Sequence, residues 1–69
     1  MEALAIARTI TAPLEEARAL EGIGRCQLLD GMRGESAAHL RQALAIYERL
    51  GVPNAGQLRA DLHALGLSE

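Results

Sequence analysis

The sequence has no lysine, no phenylalanine and no tryptophan, with one cysteine, one tyrosine and two prolines in 69 residues. Each scarcity excludes something. A single thiol, Cys26, excludes an internal disulfide, so no internal cross-link helps a chain that at this size buries only about 60% of its unfolded surface. With Ala and Leu filling the apolar quota in place of large aromatics, the composition suits closely packed helices and not pleated sheets. No apolar run approaches the roughly 18 residues of a membrane span. The stretch from Met1 to Thr11 carries Glu2 and no basic cluster, unlike a signal or transit peptide, so the expected compartment is the cytoplasm. A formal net charge of -2 and a pI near 5.6 leave no dense basic face for phosphate backbones. What remains is an ordinary folded composition, 49% hydrophobic and 23% charged, in a length that holds one domain.

Apolar periodicity divides the chain into four helical stretches. Ala3, Ile6, Ala7 and Ile10 share one face of a short first helix, which the sequence predicts to stop at Pro13. Pro13 then suits the first turn of a second helix running to about Asp30, with Glu15 and Glu16 near its positive end. Its apolar set, Leu14, Ala17, Leu20, Ile23, Cys26, Leu28 and Leu29, is wide enough to touch neighbours on both sides. Gly22 and Gly24 inside it each cost about 1 kcal/mol against alanine, and close approach of a second backbone is the usual reason. Glu21 and Arg25 stand at i,i+4 as an intrahelical pair. Gly31 to Gly34 form a short turn, so the next helix, about Glu35 to Leu50, returns antiparallel with Ala37, Leu40, Ala43, Leu44, Tyr47 and Leu50 inward. Gly51-Val52-Pro53 reads as a Schellman-type stop. Asn54 and Gln57 have capping-box spacing before a fourth helix, with stripe Leu58, Leu62, Leu65 and stop Gly66.

Two stretches resemble each other. Ala3-Leu4-Ala5-Ile6 returns as Ala43-Leu44-Ala45-Ile46, Pro13 returns as Pro53, and Leu20-Glu21-Gly22-Ile23-Gly24 is answered by Leu62-His63-Ala64-Leu65-Gly66. The chain here resembles a tetratricopeptide repeat. Leu20, Ile23 and Gly24 take the first-helix positions, Ser36 and Ala43 the small positions of the second helix, and Gln27 the place of the usual aromatic. The string from Ala19 through Gly51 looks most like the repeat arrays at the C-terminal ends of large bacterial transcriptional regulators with a central nucleotide-binding switch. The resemblance implies an all-α fold of antiparallel helix hairpins, a solenoid fragment of about four helices. Residues 1–69 would be one repeat domain: the second helix of one repeat, a full repeat over 13–50, and the first helix of the next, within a larger protein. Ala3, Ile6 and Ile10 at one end and Leu58, Leu62 and Leu65 at the other would need cover, so a homodimer is expected.

The function so implied is non-catalytic protein-protein interaction or self-association. In the resembled family the first helix of each repeat lines a concave groove, and the matching positions here, as candidate partner-binding residues, are Arg18, Glu21, Arg25 and Leu28, with Ala60 and His63 in the following helix. Glu21 and Arg25 stand where the carboxylate clamp of chaperone-binding relatives needs Lys and Asn, which disfavours a chaperone-tail ligand. Catalysis is not expected. Cys26 and His39 lack an orienting third group, His39 and His63 lack metal-ligand spacing, and no phosphate-cradling glycine loop is present, so neither cofactor nor metal is expected. The alternative is a helix-turn-helix DNA-binding domain reading bases through Ser36, His39, Arg41 and Gln42. Negative charge and a second helix twice the usual length count against it.

Overall fold

The computed structural model describes the backbone of residues 2–67 and the side chains of residues 11–67. Among the described residues there are three helices and no strand: α1 (Glu2–Leu29), α2 (Arg33–Leu50) and α3 (Asn54–Ala64). The chain is all helical as expected, with one helix fewer. Pairings such as Gln27 with His39 and Glu21 with Tyr47 set α1 and α2 antiparallel, and Arg59 with Glu48 and Arg33 with Leu65 set α3 antiparallel to α2.

All three helices end in the same way. Gly31, Gly51 and Gly66 have φ of 80°, 68° and 71°, a left-handed backbone that a Cβ disfavours. Each is followed by an apolar residue whose N–H reaches five residues back: Met32 to Gln27 at 2.8 Å, Val52 to Tyr47 at 3.3 Å and Leu67 to Leu62 at 2.9 Å. This is the Schellman arrangement, which satisfies carbonyls that the helix itself leaves free.

The expected break at Pro13 does not occur, and Pro13 lies inside α1. A proline forfeits one i→i−4 bond and crowds one carbonyl, which kinks or breaks a helix. No glycine precedes it to turn the chain out in the left-handed sense, as one does at every helix end observed, and helical residues continue on both sides. The expected capping box is also absent. Asn54 is the first residue of α3, Pro53 precedes it, and no side chain caps the helix.

The two similar stretches occupy unlike surroundings. Pro13 is interior to a helix while Pro53 precedes one. Gly24 is buried mid-helix while its counterpart Gly66 is a left-handed terminus. The side chains of Ala3, Ile6, Ala7 and Ile10 lie outside the described residues. Leu58 and Leu62, expected to need cover, are 1% exposed because they face α2.

The core is built from Ala17 of α1, Ala37, Leu40, Ala43 and Tyr47 of α2, Ala55, Leu58 and Leu62 of α3, and Leu67. At Gly24 the helices meet tightly: a Cβ there would stand 2.7 Å from Leu40 Cγ and 3.2 Å from the Ser36 carbonyl oxygen. Ser36, itself fully buried, donates its hydroxyl to the Gly24 carbonyl at 2.7 Å. That bond ties the Ser36 side chain of α2 to the α1 backbone at this tight contact. Each fully buried leucine contributes about 1.5–3 kcal/mol.

Candidate functional site

The six candidate partner residues do not form one open surface, and Ala60 is exposed on α3. Arg18 on α1 and His63 on α3 are exposed, whereas Leu28 is half-buried and packs against the core. Glu21 and Arg25 are half-buried in a polar cluster that crosses all three helices. Arg25 Nε donates to Glu21 Oε2 at 2.9 Å, and its Nη2 reaches Asp61 Oδ2 on α3 at 2.7 Å. The other Glu21 oxygen, Oε1, accepts the Tyr47 hydroxyl of α2 at 2.9 Å. The i,i+4 pair expected from the sequence is therefore present, and it also carries two bonds between helices.

The electrostatics follow from these contacts. Its bond from Arg25, then the charge of Arg25, holds the Asp61 carboxyl below the usual aspartate value of 3.8 against some desolvation. Bonds to Asp61 and then Glu21 hold the Arg25 guanidinium above its usual value. Burial, then the bond to Glu21, pushes the Tyr47 phenol above 10.0. The net effect on each of the three groups is to hold the charge state that neutral pH already favours, which suits a fastening and not a proton-transfer group.

Sequence reasoning missed Asp61 and the role of the Tyr47 hydroxyl. The signal for the second was available: a phenol in an otherwise aliphatic buried stripe needs a polar partner. Asp61 carries no such mark, because an acidic residue beside an apolar stripe is ordinary in any surface helix.

Cys26 was read as part of the packed stripe and is exposed. Ile23 and Leu29, from the same set, are 46% and 88% exposed, and Met32 in the following turn is 42% exposed. Ala19, Gly22, Ile23, Cys26 and Leu29, all exposed, recur at i+3 and i+4 intervals and define an outward face of α1 opposite the face that meets α2, while Met32 lies past the helix end, after the left-handed Gly31. His39 Nδ1 is engaged by Gln27 Oε1 at 2.7 Å and the Glu35 carbonyl at 3.0 Å. Among the described residues no group of three His, Cys, Asp or Glu is placed to hold a metal, and no pocket opens. No helix of the described residues is long and apolar enough to cross a membrane.

Compared with known proteins, the chain matches no family model, no curated protein and no solved structure at a significant level.

Proposed function

We propose that this chain is a non-catalytic helical interaction module of tetratricopeptide type, drawn from a multidomain cytoplasmic regulator, whose partner is a second copy of itself. The observation that carries the reading is the outward face of α1. Ile23 and Leu29 expose large apolar side chains along it, with exposed Cys26 between them, the small Ala19 and Gly22 on the N-terminal side of Ile23, and exposed Met32 in the turn that follows. Apolar side chains aligned on one helix face gain from being covered, and an isologous two-fold contact is the commonest cover. Arg18 and His63 are the candidate partner residues with outward side chains; Glu21 and Arg25 would contribute by holding α1 and α3 in place.

Sedimentation across a dilution series tests this. Self-association is expected in the parent chain, and Leu29→Arg is expected to weaken it at least tenfold while leaving the melting temperature within a few degrees, since Leu29 touches no core residue. A chain that stays monomeric at every concentration overturns the self-association reading. Retention on DNA that falls steeply with salt would replace it with the DNA-binding one. Against that alternative stand Ser36, buried on Gly24, and Arg41, engaged with the Leu67 carbonyl.

A further inference from the structure

The two helix interfaces are built from different chemistry. Between α1 and α2 the contact is close, with Leu40 seated on Gly24, the buried Ser36 bond and the bonds Gln27–His39 and Tyr47–Glu21, and among the described residues no ion pair joins the two helices. Around α3 the apolar grip of Leu58, Leu62 and Ala55 is ringed by polar fasteners that reach water. Arg41 donates twice to the Leu67 carbonyl, at 3.1 and 2.7 Å, and Arg33 donates to the Leu65 carbonyl at 2.8 Å. Arg59 pairs with Glu48, and Arg25 reaches across from α1 to Asp61. No Cα of α3 lies within 8 Å of one in α1, so between those helices the Arg25 bridge spans a gap that the backbones leave.

The helix itself is a weak former. α3 has 11 residues, no side-chain cap, no acidic residue in its first turn, and an exposed glycine, Gly56. Isolated helices of that length are marginal in water, so α3 is held helical by what it docks on. Arg33, Ala37, Arg41, Leu44 and Glu48 recur at i+3 and i+4 along α2 and form the edge to which it is tied.

We infer that α3 is a releasable latch: it undocks and melts as a unit while α1 and α2 stay paired, and ionic strength sets how often. Exposed ion pairs are screened by salt, whereas the Gly24–Leu40 seam is not. Elements whose fastening bonds are largely solvent-exposed open below the global unfolding free energy.

Amide hydrogen exchange on the full chain, at low and high sodium chloride, tests the latch. The expected result is that amides from Leu58 to Leu62 exchange at least tenfold faster in high salt, while those of Leu40, Ala43 and Tyr47 change less than twofold. Asp61→Ala at low salt should reproduce the pattern. If α3 and α2 amides exchange at one common rate under both conditions, or if the α3 rates ignore salt, the latch is refuted. The salt comparison uses the unaltered chain and so stands even if the variant fails to fold.

Discussion

Gly22 and Gly24 sit two positions apart in α1 and meet opposite surroundings. A Cβ at Gly22 would meet nothing within 4 Å, whereas at Gly24 it would run into Leu40 and the α2 backbone. Gly22→Ala is therefore expected to stabilise the chain by about 0.5–1 kcal/mol, the helix-propensity gain alone. Gly24→Ala should destabilise it by about 1–3 kcal/mol, as overpacking outweighs that gain. Urea unfolding of the pair checks both signs, and a destabilised Gly22→Ala would mean that a surface outside this chain occupies the space. Tyr47 gives a second residue-level test. Its phenol is raised above 10.0, so the unfolded chain ionises first, and the stability this group adds is present below pH 10 and lost as pH rises through the folded value. With no lysine titrating nearby, the alkaline limb of a stability profile should be dominated by this tyrosine and should flatten in Tyr47→Phe.

At the level of the helices, the sequence displayed its stops more clearly than its starts. Gly31, Gly51 and Gly66 each stand before an apolar residue, and a glycine followed by a residue that folds back is a physical instruction legible from one strand of text. The inward stripe of α2 was legible for the same reason, since its period is set by local geometry. Pro13 was not, because whether a helix tolerates a lost bond depends on the rest of its length. The similar stretches misled because alike residues settled differently: Gly24 is held in a helix by Leu40 and Ser36, groups remote in sequence, while Gly66 has Leu67 after it. For the candidate site, the Glu21 and Arg25 pair could be read from spacing, but not its extension to Asp61, 36 residues away. Two outcomes follow. Pro13→Ala restores an N–H for the Thr9 carbonyl and should raise stability in urea by up to about 3 kcal/mol with helicity by circular dichroism unchanged, because α1 already runs through Pro13; a clear rise in helicity would show that the proline breaks α1 in solution. Asp61, held below 3.8, adds stability that is present above that value and disappears as pH falls through its lowered folded value. The stability difference between the parent chain and Asp61→Asn should accordingly narrow on acidification, which chemical denaturation at several pH values can follow.

The described residues measure 46 × 19 × 13 Å along their principal axes, a rod one helix long and barely two helices wide. At about 1.5 Å per residue, the 28 residues of α1 account for that length while α2, at 18, spans about two-thirds of it. A rod of this kind has much surface for its core, so contacts beyond the chain weigh heavily in its stability. Its outward α1 face also carries the one thiol in the sequence, and with no lysine present, a label directed to sulfur or to amines would not be diluted over many side chains. A nitroxide on Cys26 would look outward from the core. Were two copies to meet through that face, paired spins would report a distance across the two-fold axis; an unlike partner would slow a solitary spin and give no distance at all.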